Sequence, residues 1–396
     1  MATRRTNPTT ARFLAGARRF VRLLAVSLIC SSAPSSVGAT QRVEGPPPWR
    51  LGGRVGFTCD TAVFPDSSGY HLEVYLRVPP ATLRQLTRDE QGDAHLQASV
   101  KIAGRGAGEL STTQDFVLPG SEAAAGQGRV LLMRFPVAPG PCRITVRLDD
   151  LISRKRGLVY SGNNQRQNTE MRGQIEVPRP QAGRDLSDPE FIWPHNGQAP
   201  GIAFVRGGQA RIPNPDRLYG LYAQSLDAAF TARGKPGDIR PWHWVARVLD
   251  MQGRVVAQEE STAVASQFAE GGVHFDLRDQ PAGGYYLDVK MWQEGDPGAL
   301  QRRAKFSVGW EPDTWNRNAA DVADDVHFLL DARDEEEFTV LQPGEQERLL
   351  REFWRKRDPT PETAANEYEE SFRQRVDHAN DQYSRFGIEK GMYTDM

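Results

Sequence analysis

Short runs in which apolar and polar residues alternate recur along most of this chain, and they set the strongest limit on its fold. The clearest run, residues 70–78, reads YHLEVYLRV and places Leu72, Val74 and Leu76 on one face. A period of two is the pattern of a β-strand with one buried face. The 37 Gly and 27 Pro residues supply turns between such runs. Because no helical pattern intervenes before about residue 310, the chain is predicted to be mainly β, built from antiparallel sandwiches.

The first predicted sandwich covers residues 51–180 and follows a predicted proline-rich spacer at 40–50. Its predicted strands are 54–60, 70–78, 98–102, 129–135, 142–148 and 173–177. Two cysteines, Cys59 and Cys142, fall within this domain near predicted strands. They are either a disulfide or two buried thiols, because a bridge requires a geometry that spacing alone does not give.

The second predicted sandwich covers residues 181–310 and has the same organisation. Its predicted strands are 245–249, 255–258, 273–277, 284–292 and 304–308. The tight turn Pro281-Ala282-Gly283-Gly284 leads into a long alternating strand, as in immunoglobulin-like sandwiches. The fold is therefore predicted to contain two tandem immunoglobulin-like β-sandwiches.

The N-terminus, residues 1–39, has the three parts of a secretory signal peptide. Six arginines and no acidic residue are followed by an apolar run from Leu23 to Cys30 and then by small residues ending at Ala39. Cleavage is expected after Ala39, which predicts export to the periplasm or the extracellular space. Two alternatives remain: an uncleaved anchor, and lipoprotein processing at Cys30, where Ile29 fits poorly.

The charge of the remaining chain argues against nucleic acid as a partner. Subtracting the six arginines of the signal from 49 basic residues leaves 43 against 51 acidic residues, a net charge of −8. The acidic excess is concentrated in residues 311–396, which contain 22 acidic and 11 basic residues.

The period of the apolar residues changes to 3.6 after about residue 313, which predicts two amphipathic helices. The first is 346–357, and the second carries an apolar stripe between 365 and 386. Between them, Pro359 discourages continuation, Thr360 is a predicted helix cap and Pro361 suits a first helical position. Asp358 is expected to accept hydrogen bonds from N–H groups at the start of the second helix.

Familiar catalytic and cofactor motifs do not occur in the sequence: it has no zinc-spaced histidine pair, phosphate-binding glycine loop, nucleophile elbow or calcium loop. No cofactor or metal is therefore predicted, and the pattern favours a non-enzymatic binding or scaffolding module. Two alternatives stay open. One is a hydrolase-type enzyme with a site around Asp358, Glu367 and Arg375. The other is a carbohydrate-binding module that uses Trp242 and Trp244, although tryptophans in such a strand are more often core residues.

The C-terminal residues resemble the GWxTD domain proteins of bacteria. The residues that carry this resemblance are Phe353, Trp354, Arg357, Asp358, Pro359, Thr360, Pro361, Asn366, Glu367, Arg375, Gly391, Thr394 and Asp395. Met392 stands where that family has tryptophan. The resemblance implies an exported bacterial protein with a β-sandwich region before a helical GWxTD-like domain, here residues 311–396. It names no reaction, and it is consistent with protein partners in the cell envelope.

The resemblance also leads us to expect that the helical domain is incomplete at Met396. In the family, the Thr394-Asp395 motif leads into a further β segment of the domain. The predicted apolar stripe must also pack on something, and a helix pair alone buries little surface.

Overall fold

The computed structural model confirms a mainly β fold with helices at the C-terminal end. It describes residues 40–67, 69–104, 108–120, 129–154, 166–194, 205–206, 209–264, 266–316, 322, 324, 326–384 and 390–393. The predicted signal peptide with Cys30 lies outside the described residues, as do Thr394 and Asp395.

Two sheets form the first sandwich. Its strands are β1 (Thr40–Arg42), β2 (Trp49–Leu51), β3 (Phe57–Pro65), β4 (Tyr70–Val78), β5 (Ala94–Gly104), β6 (Glu109–Leu118), β7 (Arg129–Val137), β8 (Gly140–Asp150) and β9 (Gln167–Val177). One sheet has the order β1-β9-β8-β5-β6 and the other β2-β3-β4-β7. A short helix, α1 (Pro80–Gln85), follows β4. All pairings are antiparallel except that of β1 with β9.

Residues 40–50 belong to the first sandwich and are not a spacer, so that prediction was wrong. β1 extends one sheet beside β9, and β2 extends the other, with Trp49 opposite Cys59. The Trp49 side chain is buried in the core. A Cβ on Gly173 would lie 3.1 Å from its ring, so the indole needs a glycine on the facing sheet. The extended conformation that the prolines favour is compatible with the strand that follows, and burial of the Trp49 ring stabilises it against the core.

Cys59 and Cys142 are free, buried thiols, and the possible disulfide between them is not formed. Cys59 lies on β3 and Cys142 on β8, which belong to different sheets. Both are packed as small apolar groups in the core between these sheets. Burial raises the pKa of both thiols.

The second sandwich also has two main sheets, and its strands differ more in length. They are β10 (Asp185–Leu186), β11 (Glu190–Ile192), β12 (Val205–Arg206), β13 (Gln209–Ala210), β14 (Leu218–Gly220), β15 (Ser225–Arg233), β16 (Trp242–Asp250), β17 (Val255–Ala263), β18 (Phe268–Asp276), β19 (Gly283–Gln293) and β20 (Leu300–Gly309). One sheet has the order β14-β20-β19-β16-β17. In the other, β15 pairs with β10 and β11 and also with β18.

The predicted turn before β19 contains a tyrosine corner. The Tyr285 hydroxyl donates to the Pro281 carbonyl over 2.8 Å, as it does in immunoglobulin-like sandwiches. The Tyr285 ring also stacks on Phe306 at a centroid distance of 5.6 Å, which ties this turn to the core of the second sandwich.

The C-terminal helices begin directly after β20. They are α2 (Pro312–Asn316), α3 (Ala332–Thr339), α4 (Pro343–Arg355), α5 (Glu367–Tyr383) and a 3-10 turn (Gly391–Tyr393). The two predicted helices correspond to α4 and α5, but α5 starts six residues later than Pro361. Its cap is Asn366, whose side chain accepts from the Glu369 amide at 3.0 Å. Thr360 does not cap it, because the helix begins only at Glu367 and the Thr360 hydroxyl donates to the Glu367 carboxylate instead.

Buried polar contacts hold the first turn of α4 on the end of the second sandwich. The Gly344 amide donates to the Ser307 hydroxyl at 2.6 Å, and Lys305 pairs with Glu345 at 2.8 Å. A Cβ at Gly344 would lie only 2.0 Å from the Val308 carbonyl oxygen, so this approach requires glycine. The helical segment is therefore attached to the β body at this point.

Candidate functional site

Several of the predicted motif residues lie near the Trp354 ring, where α4 ends and α5 begins. Trp354 is 7% exposed and lies against Phe353, Tyr368 and Phe372, with centroid distances of 4.9, 6.0 and 5.6 Å. The Asn366 side-chain amide donates to the Trp354 carbonyl at 2.8 Å. One residue therefore caps α5 and also closes α4, which fixes the two helices to each other.

Charged motif residues line the turn between the helices and bind locally. The Arg357 guanidinium stacks over the Phe353 ring at 3.6 Å from its centroid and donates to the Phe353 carbonyl. Glu367 accepts from the Thr360 hydroxyl and, at 3.3 Å, from the Thr363 hydroxyl. These hydrogen bonds lower the pKa of Glu367, which is ordinary for an exposed, hydrogen-bonded carboxylate.

The three residues of the hydrolase alternative do not form a joint site. Asp358 accepts from the Thr360 amide at 3.0 Å, an arrangement that shapes the turn. Arg375 is exposed and donates to the Ser371 carbonyl of its own helix at 3.3 Å. Within the described part of the chain, none of Asp358, Glu367 and Arg375 pairs directly with another of the three. The geometry therefore gives the hydrolase alternative no support.

A cavity of about 130 Å³ lies between the helices beside Trp354. It is lined by Leu329, Leu350, Trp354, Phe372, Arg373, Val376 and Asp377. This volume is smaller than the several hundred Å³ of ordinary ligand pockets, and its walls are mostly apolar. Its size is comparable to that of one apolar side chain.

The C-terminal motif closes back onto α5. The Met392 amide donates to the Asn380 side chain at 3.1 Å, and the Gly391 amide donates to the Ser384 hydroxyl at 2.9 Å. A Cβ on Gly391 would lie 2.0 Å from the Ala379 carbonyl oxygen. Met392 is buried here, so the position that holds tryptophan in the resembling family is a packing position in this chain.

Exposed aromatic rings are concentrated in the helical segment. Among the described residues, five aromatic side chains are strongly exposed: Tyr222 at 57%, Phe328 at 46%, Tyr368 at 43%, Tyr383 at 45% and Tyr393 at 47%. Four of the five lie after residue 311. Exposed aromatics are enriched at protein interfaces, where they supply large contact areas at low entropic cost. The described part of the helical segment is thus a candidate surface for contact with another protein.

Trp242 and Trp244 are core residues, 0% and 5% exposed. The Trp242 indole N–H donates to the Ser266 carbonyl at 3.2 Å, and the Trp244 ring meets Phe230 edge-on at 5.4 Å. Neither ring can stack a sugar from solvent. The carbohydrate-binding alternative that rested on their exposure is therefore not supported.

An extensive ionic junction between the two sandwiches was not predicted from the sequence. Arg217, next to β14, binds both carboxylate oxygens of Asp60 on β3, at 2.8 and 2.7 Å. Beside it, Arg77 on β4 pairs with Asp216. Burial raises the pKa of Asp60, which the Arg217 charge opposes. Asp60 is the only charged residue of β3, and this was the one signal in the sequence that could have pointed to the contact.

Backbone hydrogen bonds reinforce the junction. The Asp188 amide donates to the Val63 carbonyl at 3.0 Å, and the Val63 amide donates to the Asp188 carboxylate at 2.9 Å. Nearby, Arg233 donates to the carbonyls of Asp66 and Gly69 at 2.6 and 2.9 Å. The two sandwiches are thus joined by charge-assisted bonds along several strands.

Metal and membrane sites are not evident in the described part of the chain. No three His, Cys, Asp or Glu side chains there converge to hold a metal ion. Within the same ranges, no helix combines the length and apolar character needed to cross a bilayer.

Comparisons with known proteins are distant. No protein-family profile and no curated protein matches the chain. One similar solved structure is a family 123 glycoside hydrolase from Clostridium perfringens, described for glycolipid glycan hydrolysis. It is 6% identical, with 31% of this chain and 29% of that chain covered and a TM-score of 0.20. Another is a DUF3823 family protein from Bacteroides ovatus, 9% identical, with 46% and 80% covered and a TM-score of 0.22. At such scores neither likeness supports an argument about this chain.

Proposed function

We propose that this protein is an exported, non-enzymatic binding module of a bacterial cell envelope, related to the GWxTD domain proteins. In this proposal the two sandwiches form a rigid body, and the helical segment after residue 311 contacts a protein partner. The observation that carries it is the concentration of exposed aromatic rings on that segment, where Tyr368 and Tyr383 lie on α5.

Two further features support a binding role over catalysis. The polar motif residues bind one another's backbone and hydroxyl groups and so fix the turn between α4 and α5. The cavity beside Trp354 is too small for most substrates but fits one apolar anchor side chain of a partner. Export rests on the sequence pattern of residues 1–39.

Site-specific photocrosslinking in the source cell tests the binding role. A benzophenone amino acid is placed at Tyr368 or Tyr383 in the full chain, and the crosslinked products are separated by mass. We expect discrete protein adducts at both positions. The matched controls carry the same group at Ile239 and Val264, which are exposed apolar residues of the second sandwich and should give no such adduct.

Adducts that are equal at helical and control positions, or absent from both helical positions, would contradict the proposal. Intact mass of the exported protein tests export separately. We expect a mature N-terminus at Thr40. An N-terminus at Cys30 with added lipid mass would show that the protein is processed as a lipoprotein instead.

A further inference from the structure

The turn that contains Asp216 and Arg217 is a meeting point of three parts of the chain. Its two side chains reach the first sandwich, where Arg217 binds Asp60 and Asp216 binds Arg77. Its backbone leads directly into β14 of the second sandwich. The turn therefore lies at the boundary of the two domains and contacts both.

Arg50 connects the same turn to the helical segment. It lies on β2 of the first sandwich, and one of its Nη atoms donates to the Gln342 side-chain oxygen at 3.0 Å. The other Nη atom donates to the backbone carbonyl of Asp216. Gln342 is the residue immediately before α4, and its backbone amide donates to the Glu345 carboxylate at 3.0 Å. One guanidinium thus bridges β2, the Asp216–Arg217 turn and the start of α4.

The surroundings of Arg50 make these contacts costly to lose. Burial lowers the pKa of Arg50 and of Arg77 to about 10, and both remain charged near neutral pH. A buried charged group that loses a hydrogen-bond partner keeps its desolvation penalty. The turn itself is held in an unfavourable conformation, since Arg217 has φ of +47°, which residues other than glycine adopt only when their surroundings fix them.

We propose that Arg50 couples helix α4 to the first sandwich, so that the position of α4 and the stability of β2 depend on each other. α4 is anchored to the second sandwich by Ser307 and Lys305, but Gln342, the residue just before its first turn, is also held by the first sandwich. This coupling goes beyond the proposed function, because it is a property of the chain with or without a partner. If a partner binds the helical segment more tightly when α4 is docked in this position, reciprocity requires that its binding also stabilises β2.

Hydrogen exchange on the full chain tests the coupling in both directions. Arg50→Gln should speed exchange of the α4 amides at 345–351 by about 5- to 30-fold, the range that follows from losing one or two hydrogen bonds of ordinary strength. Gln342→Ala should produce a similar increase at residues 49–51 of β2. That second effect lies in the other domain, so a purely local capping role of Gln342 does not produce it.

Two further variants sharpen the test. Arg54→Gln removes the same charge from an exposed position of the first sandwich and should leave α4 unchanged. In the double variant, Arg50→Gln added to Gln342→Ala should produce no further increase at 345–351.

The coupling is wrong if Gln342→Ala leaves exchange at 49–51 at the original rate. It is equally wrong if the effects of the two substitutions add in full. Should Arg50→Gln fail to fold, the Gln342→Ala measurement decides the question alone.

Discussion

Arg217 and Asp60, 157 residues apart in the chain, form a two-fold ion pair in which both side chains are more than 90% buried. The pair joins β3 of the first sandwich to the residue just before β14 of the second sandwich. Because both carboxylate oxygens are bound, the guanidinium has a single fixed orientation. Arg217 makes these contacts with a φ of +47°, a backbone conformation that a residue other than glycine keeps only where its surroundings fix it.

Asp60→Asn is expected to lower the free energy of unfolding by about 3–5 kcal/mol. The amide cannot neutralise Arg217, which then stays buried with its charge uncompensated. Urea denaturation of the full chain measures the change. The control is Arg333→Gln, which breaks the exposed pair of Arg333 with Glu337 and should change stability by less than about 0.5 kcal/mol.

The double variant Asp60→Leu with Arg217→Met separates charge burial from packing. We expect it to be more stable than Asp60→Asn alone, because it removes both charges and keeps apolar volume. A double variant less stable than Asp60→Asn would contradict this expectation. It would show that apolar packing at these two positions cannot replace the stability that the ion pair provides.

The sequence predicted the parts of the fold that have local patterns. The strand at 70–78 has the predicted bounds, and predicted cores such as 142–148 lie inside longer strands. β6 was missed because only Phe116 and Leu118 of its ten residues are buried, so it has no period of two. The start of α5 was placed too early because two prolines imitate a helix start, while the cap is Asn366.

The junction between the sandwiches could not be predicted from spacing. Asp60 and Arg217 are each single residues without a motif, and only the folded chain brings them together. The same holds for the glycine at 344, whose role depends on the backbone of β20. That Asp358 and Arg375 share no acid–base site follows from the directions of their side chains, which spacing in the sequence does not give.

The two free thiols lead to a test of accessibility. In a Cys30→Ser background, the buried Cys59 and Cys142 should not react with a thiol reagent at pH 8, because burial blocks access and raises the pKa of both thiols. In denaturant without reductant, two thiols per chain should react. If they react only after a reductant is added, the cysteines are bridged, contrary to the structure.

Gly344→Ala is expected to loosen the attachment of α4 and to cost about 1–3 kcal/mol. Alanine normally favours a helix over glycine, but here the added methyl group meets the Val308 carbonyl at 2.0 Å. Limited proteolysis should cleave the helical segment faster than in the original protein. Gly298→Ala is the matched control, because a Cβ there has open space within 4 Å. If the helical segment is cleaved at the same rate in both variants, the backbone of β20 can move enough to accommodate the added methyl group.

Asp238 predicts a specific dependence of stability on acid. Hydrogen bonds from Arg240 lower the pKa of Asp238 to about 2. In the unfolded chain this pKa is about 3.9, so the unfolded state binds more protons between these values. The stabilising contribution is therefore complete above about pH 4 and is lost as the pH falls toward 2. The Tm difference between the original protein and Asp238→Asn should be present at pH 6 and vanish near pH 2. A difference that is the same at both pH values would contradict the assignment.

Substitutions at Asn366 and Asp358 test which of the two residues caps the start of α5. Asn366→Ala removes the acceptor for the Glu369 amide and the donor to the Trp354 carbonyl, so it should cost on the order of 1 kcal/mol or more. Asp358→Asn keeps a side-chain oxygen for the Thr360 amide and should cost much less. Hydrogen exchange of the amides at 369–372 measures the local free energy of opening in each variant. Faster exchange in Asp358→Asn than in Asn366→Ala would restore the capping role that the sequence predicts for Asp358, and would place the start of the helix closer to Pro361.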